Sequence, residues 1–438
     1  MSELRPRTHA SPRRAHAARH GRARKSHAAL TVAKVVAASL AVLLVSGTSL
    51  AAIAVAQLSG NIESVTLAGD DDDVTPTAAA PALGKFDGGF NILVVGSDVC
   101  DVEGGCADRQ SELNDVTMLI HIAADQSSAV GVSFPRDLVV PIPSCPQEDG
   151  EGSYNAMSAQ PINNTLAYGG LACTVLTVEA LTGLDIPYAG LITFGGVIGM
   201  SNAVGGVPVC IDGPINDRYS GFRRDEAGEY TLQGQDALNF LRTRHGVGDG
   251  SDLGRISSQQ VFLSSLVRTI KSDSTLNDPS KLFGIATAAT SNMKLSTQLA
   301  NLNTMVSMSL VLKDIPLERI TFVQYPGTTG QGGVYSGKVA PIKAQADALF
   351  AKIVSDEPFT LAAGTGRGSI LNPDAPSTAS VDPAAPVDPA PPVDPAPPVD
   401  PAAPADPGAV DAAAPTAEVL SGVLGQTAAD YTCSKANN

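Results

Sequence analysis

Beyond its first 34 residues the chain is short of positive charge. Nine of its 29 Lys and Arg fall within residues 1–34, beside one acid, Glu3, and the other 20 face 43 acids. An acidic body excludes general nucleic-acid binding, which wants a basic surface, so no nucleic acid is expected as a partner. No CxxC pair or Cys/His cluster occurs, which argues against a structural metal site at the six Cys. No GxGxxG or Walker pattern surrounds the glycines at 195–196 and 205–206, which read as turn residues rather than a phosphate loop. A GxSxG elbow and a Ser/His/Asp order are also lacking.

What the chain has is a long uncharged run, Val35 to Ala56. Its 22 residues suffice to cross a bilayer core at ~1.5 Å per residue. The basic head before it and the acids Asp70–Asp73 after it place the N-terminus in the cytoplasm. Ala54-Val55-Ala56 resembles a signal-peptidase site, but the run is longer than the usual cleaved segment, which favours a retained single-pass anchor in the cell membrane. The head, residues 1–34, reads as a solvated tail touching anionic membrane lipid.

All six Cys lie beyond the membrane run, and an even number in an exported chain favours disulfides. Cys100 and Cys106 are close enough to close a small loop, and Cys145 and Cys173 flank another. Cys210 and Cys433 are left over. Their pairing would tie the far tail to the core, but spacing does not fix connectivity.

Residues 57–87 read as an Ala/Pro-rich extracytoplasmic stalk, and 88–356 as one folded domain. "FNILVVGSD", "DVTMLIHIA" and "SAVGVSF" are strand-like. Asn163 to Leu181 has helical spacing, stopped by Gly183; further helices are expected over 233–243 and 255–271, and two more between about 278 and 312. Alternating strands and helices predict an α/β fold, a sandwich around a central sheet. Residues 357–414 form a Pro/Ala/Asp-rich spacer with "PVDPAP" repeats, which cannot bury a core, and 415–438 a mildly apolar C-terminal segment.

Polar clusters fall at strand ends and helix starts. Asp98 ends the first strand, Asp115 opens the second, and Arg136-Asp137 follows the third. The densest is "LRTRHGVGDGSDLGRISSQQ", with Arg242, Arg244, Asp252, Arg255, Gln259 and Gln260. Arg255 and Gln259, four apart, share a helix face near its N-terminus, a natural anion site. Arg forks grip phosphate oxygens, and paired carboxylates hold a hard cation, Mg²⁺ or Mn²⁺. Singly, such residues are usually surface ion pairs; clustered in an Arg-poor body they point to phosphoryl transfer. His121 and His245 each read as structural.

These clusters make the chain recognisable. It resembles the LytR-CpsA-Psr family of cell-wall glycopolymer ligases through "NILVVGSD", "LNDVTMLIHI", "VSFPRDL", "NNTLAYGG", "VEALTGL", "NAVGGVPV", "QGQDALNFLRTRHG" and "DLGRISSQQ". The likeness covers residues 88–272 well and extends more loosely to about 355. It implies an αβα sandwich with a central mixed β-sheet and a hydrophobic pocket for a polyprenyl tail. It implies that Asp98 and Asp115 hold the metal, and that Arg136, Arg242, Arg244, Arg255 and Gln259 bind the phosphates, with Gln260 beside them.

The implied activity is an extracytoplasmic phosphotransferase. It moves a glycopolymer from a polyprenyl-pyrophosphate carrier onto a peptidoglycan acceptor. Asp98 or Asp137 is the expected base, and Arg136 and Arg244 stabilise the departing phosphate. The alternatives are a non-catalytic sensor of the same lipids and a polyprenyl-pyrophosphate hydrolase. Where the family often places an Arg two residues before the second Asp, this chain has Leu113, and the nearest Arg is Arg109. The insert between Cys100 and Cys106 and the Pro-rich tail lie outside the common pattern; tail, Cys usage and Ala-rich composition look actinobacterial.

Overall fold

A computed structural model describes Gly60 and residues 62–67, 86–98, 112–147, 151–362, 365–372 and 417–437. Two compact units divide the chain, Met1–Gln57 and Leu58–Asn438, and every described residue belongs to the second. The expected basic head, the membrane run Val35–Ala56, Cys100, Cys106, Arg109 and the body of the Pro-rich spacer lie outside the described residues.

Runs rich in Val, Ile, Leu and Phe become strands because branched and aromatic side chains fit a pleated, half-buried surface. The strands of the two larger sheets are β1 (Glu63–Val65), β2 (Phe90–Ser97), β3 (Asn114–Ile122), β4 (Ala129–Phe134), β5 (Tyr188–Ile192), β6 (Val207–Ile211), β7 (Gly228–Leu232), β8 (Met293–Ser296), β9 (Ile320–Gln324), β10 (Ser369–Leu371), β11 (Gly425–Thr427) and β12 (Thr432–Ser434). The main helices are α1 (Thr165–Thr182), α2 (Phe194–Ala203), α3 (Gln235–Arg242), α4 (Asp252–Lys271), α5 (Pro279–Ser291), α6 (Leu302–Asp314) and α7 (Lys343–Val354).

The large sheet runs β1-β8-β5-β2-β3-β4-β9-β11. It is mixed: β2–β3 and β3–β4 are antiparallel, whereas β2–β5 and β4–β9 are parallel. The period of two along each strand decides the layering. Leu93, Val95, Leu119 and Val132 pack with α1 and α7 on one face. Ile92, Met118, Ile120 and Phe322 pack with α6 and the middle of α4 on the other. Both faces are covered, so the architecture is helix–sheet–helix.

A smaller sheet, β7-β6-β12-β10, packs its apolar side on α3 and on Val261 and Phe262 of α4. Helix α4 thus serves two cores, and from Asp252 to Phe262 every residue is buried.

Helix α1 ends as expected on Gly183, whose φ of 74° closes the last turn without a Cβ penalty. It is apolar and long enough to cross a membrane by composition alone, but 67% of that stretch is buried in the fold. Cys145, in the short strand Cys145–Pro146, is joined to Cys173 of α1.

Four features differ from the sequence expectation. Ser369–Leu371, inside the expected spacer 357–414, form β10 of the smaller sheet. Residues 63–65, inside the expected stalk, form edge strand β1, and Leu67 is buried in the main core. A strand, β8, separates the two helices expected between 278 and 312. The C-terminal segment is not an appendage: β11 completes the large sheet, β12 inserts between β6 and β10, and Cys433 is joined to Cys210 with the Cα atoms 4.4 Å apart. These short strands carry too few apolar residues to signal themselves; pairing with pre-existing edges makes them.

Candidate active site

The β2–β3 hairpin places two carboxylates at one end of the large sheet. Ser97 pairs with Asn114 but Gly96 pairs with Val116, so Asp115 is the extra residue of a β-bulge. A bulge bends its strand and re-aims one side chain, here that of Asp115. Just past β2, Asp98 and Leu113 close the hairpin end: the Asp98 N–H donates to the Leu113 carbonyl at 3.1 Å, and the Leu113 N–H donates to Asp98 Oδ1 at 2.9 Å.

Arg136 and Asp137 follow β4. Arg136 Nη1 donates to Asp115 Oδ1 at 2.6 Å, and its backbone N–H donates to Asp252 Oδ2 at 3.0 Å. Burial alone would ease deprotonation of the Arg136 guanidinium; the charge and hydrogen bond of Asp115, with Asp252 and Asp137, outweigh it and raise its pKa. Asp137 accepts from Lys338 Nζ at 3.0 Å and lies 4.0 Å from Arg244 Nη1.

The start of α4 supplies the next layer. Ser251 caps the helix by accepting the Gly254 N–H. Asp252, buried in the first turn, pairs with Arg255 Nη2 at 2.7 Å, and the same guanidinium donates to the Asp115 carbonyl at 2.9 Å. Gln259, one turn on, donates to the Leu241 carbonyl at 2.9 Å and so ties α4 to the end of α3 that carries Arg242.

Asp217 fixes the loop after α3. Its Oδ2 accepts the N–H groups of Arg244 and His245, each at 2.9 Å, and that of Gly246 at 3.4 Å, while Oδ1 accepts those of Tyr219 and Ser220. Burial pushes the Asp217 carboxyl up, but these backbone donors outweigh it and hold the group below the ordinary carboxylate range.

Two cavities meet here. One, of about 1010 Å³ including its open mouth, runs between the sheet and α2, α3 and α4 and is lined largely by apolar side chains such as Met118, Val197, Leu238 and Leu263. The other, about 620 Å³, is lined by Arg136, Arg242, Arg244, Arg255, Asp115, Asp217, Tyr219, Ser220 and His245. Asp115, Arg242 and Arg255 border both, so an apolar chamber opens into a cationic one. The Arg242 guanidinium lies over the Phe194 ring at 4.6 Å. The buried Nε atoms of Arg136, Arg244 and Arg255 make no hydrogen bond among the described residues.

The structure therefore brings together Asp115, Arg136, Arg242, Arg244, Arg255 and Gln259. Asp98 and Asp137 stand close behind without lining either cavity. Gln260 does not join them; it is buried, borders neither cavity, and its carbonyl accepts from Gln426 at 3.2 Å. Sequence reasoning missed Asp217 and Lys338. Lys338 gave no motif, and Asp217 acts on backbone N–H groups, which leave no trace in residue identity. His245, expected to be structural, lines the cationic chamber.

Among the described residues, no group of three or more His, Cys, Asp or Glu side chains is gathered for a metal. Asp98 and Asp115 are two hard oxygen donors at one hairpin end, the donor type that magnesium takes.

The chain is similar in sequence to known proteins. Cell wall biosynthesis protein LcpA of Corynebacterium glutamicum is 29% identical over 331 residues, covering 69% of this chain and 61% of LcpA. The polyisoprenyl-teichoic acid–peptidoglycan teichoic acid transferase TagT of Bacillus subtilis is 28% identical over 253 residues, covering 56% of this chain and 71% of TagT. The match thus spans less than two thirds of LcpA. The solved structure of a LytR-Csp2A-Psr enzyme from Actinomyces oris is 20% identical, covering 67% of this chain and 96% of that one with a TM-score of 0.49. The LytR_cpsA_psr family matches residues 54–350, more than half of the sequence, and the chain belongs to that family.

Proposed function

We propose that this chain is an extracytoplasmic phosphotransferase, held at the cell membrane by Val35–Ala56, that moves a glycopolymer from a polyprenyl-pyrophosphate carrier onto peptidoglycan. The observation that carries this is the junction of an apolar chamber with a four-arginine one across Asp115, Arg242 and Arg255. A molecule filling both has a long apolar tail and a compact, multiply charged head, which describes a lipid pyrophosphate. The names of LcpA and TagT point the same way.

In this reading the tail lies between α2, α3 and the sheet, and the pyrophosphate sits among Arg136, Arg242, Arg244 and Arg255. Asp115, Asp252 and Asp137 hold the guanidinium groups of Arg136, Arg255 and Arg244 before substrate arrives, so little reorganisation is needed as charge develops. A peptidoglycan hydroxyl forms a new P–O bond at the sugar-side phosphorus, and its proton passes to a phosphate oxygen. The bridging P–O bond breaks, and polyprenyl phosphate leaves with the electron pair. Magnesium or manganese held by Asp98 and Asp115 would neutralise phosphate charge. Asp137, held by Lys338 and close to Arg136 and Arg244, is a positioning residue for the two guanidinium groups in this scheme.

The test is incubation of the purified membrane protein with a polyprenyl-pyrophosphate-linked glycan, with and without peptidoglycan fragments. Transfer predicts polyprenyl phosphate release that depends on the fragments, and a phosphodiester-linked product. Release without fragments would show hydrolysis, and binding without release a sensor.

A further inference from the structure

The cationic chamber has a rim that phosphate chemistry does not explain. Tyr219 and His245 line it but not the apolar chamber, and their rings lie 4.8 Å apart. Tyr219 is 65% exposed, in a chain where aromatics make up 4% of residues. The Arg218 guanidinium lies over the ring at 4.8 Å, and the rest of the ring stays open at the mouth of the cavity.

The ring is not loosely placed. It projects from the turn between two short strands, Ile215–Asp217 and Phe222–Arg224, which Gly221 closes with a φ of 76°. Arg218 Nη2 donates to the Tyr219 hydroxyl at 2.8 Å. Asp217 accepts the Tyr219 N–H on one oxygen and the His245 N–H on the other. One buried carboxylate thereby joins the tyrosine turn to the loop bearing Arg244 and His245, and sets the phenol and imidazole beside the phosphate-facing guanidinium groups.

Resting on the proposed lipid-pyrophosphate reading, we infer that Tyr219 and His245 form a platform for a saccharide ring next to the phosphates. A tail in the apolar chamber and a head among the arginines leave only the outer rim for the sugar. A pyranose has an apolar C–H face that lies against an aromatic ring and an equatorial belt of hydroxyls that takes hydrogen bonds. Tyr219 offers the ring, and His245 and Ser220, which also lines the chamber, offer polar atoms beside it. The ring belongs either to the carried glycan or to the peptidoglycan acceptor, both of which are sugars.

Binding to the full-length protein in detergent decides this. The probes are polyprenyl pyrophosphate, the same lipid bearing one N-acetylhexosamine, and a soluble peptidoglycan disaccharide. Tyr219→Ala should weaken a sugar-bearing probe ~10-fold, the scale of one aromatic contact, and leave the bare lipid within about two-fold. Tyr219→Phe should bind like wild type, since the ring rather than the hydroxyl makes the contact. Loss confined to the glycosylated lipid identifies the donor sugar, and loss confined to the disaccharide identifies the acceptor. Unchanged binding of both sugars, or an equal loss for the bare lipid, overturns the platform. If wild type fails to bind the bare lipid, the lipid-pyrophosphate reading fails instead, and the disaccharide arm alone decides the platform.

Discussion

Arg136 Nη1 and Asp115 Oδ1 lie 2.6 Å apart, so the carboxylate proposed to hold a cation is also the anchor of an arginine proposed to bind phosphate. The two roles are compatible because a carboxylate has two oxygens and about four lone-pair directions. Asp115 thus links the arginine set to the hairpin end where Asp98 stands.

Asp115→Asn keeps the shape and removes the charge. Metal-dependent transfer should fall by at least ~100-fold, the scale of one electrostatic group at a transition state, with the fold intact by circular dichroism. Full activity in chelator-treated, magnesium-restored buffer would leave Asp115 only its ion-pair role.

Arg244 is held by its backbone through Asp217, which leaves its guanidinium to the chamber. Arg244→Ala should weaken lipid-pyrophosphate binding by ~1.5–3 kcal/mol, the value of hydrogen bonds to a charged group. Titration calorimetry with the bare lipid checks it; wild-type affinity would return Arg244 to a surface ion pair.

Asp252 and Arg255 form a buried pair with 2% and 6% side-chain exposure. Removing one partner strands the other charge, so Asp252→Ala should cost ~3–5 kcal/mol of stability. Urea unfolding measures it. A loss below ~1 kcal/mol would mean that the pair is solvated in solution.

Asp217 has its pKa lowered in the folded state, so its contribution to stability is present above the unfolded value, near ~3.9, and is lost as pH falls through the lower folded value. Asp217→Asn should be less stable than wild type at pH 7, and the gap should close in acid below about pH 4. A gap that stayed constant with pH would show that the carboxylate charge is not what holds the loop.

Much of the fold was legible because its signals are local. The β2–β4 strands announce themselves by apolar runs, and α1 by spacing and its glycine stop. The lining of the cationic chamber was legible where charge is concentrated, as at Arg242 and Arg244. The apolar chamber came from family resemblance, since no single stretch encodes a space between three helices and a sheet. Asp217 and β12 were illegible for one reason: both act through backbone hydrogen bonds to residues far along the chain. Gln260, named with Gln259 from one motif, borders neither cavity, and the motif gave no sign of that difference.

The two described disulfides differ in sequence separation, 28 residues for Cys145–Cys173 and 223 for Cys210–Cys433. A chain that crosses a membrane from its N-terminal side delivers cysteines in order. Cys145 meets its partner soon after it emerges. Cys210 must wait, as a thiol, for nearly the whole of the remaining polypeptide. The strand that carries Cys433, β12, fills the place between β6 and β10, and beyond it Lys435 and Asn437 brace Gly248 and Gly246 in the loop bearing Arg244. Closing the larger of the two loops therefore also fixes the loop that bears Arg244, and a chain cut before Cys433 would lose both.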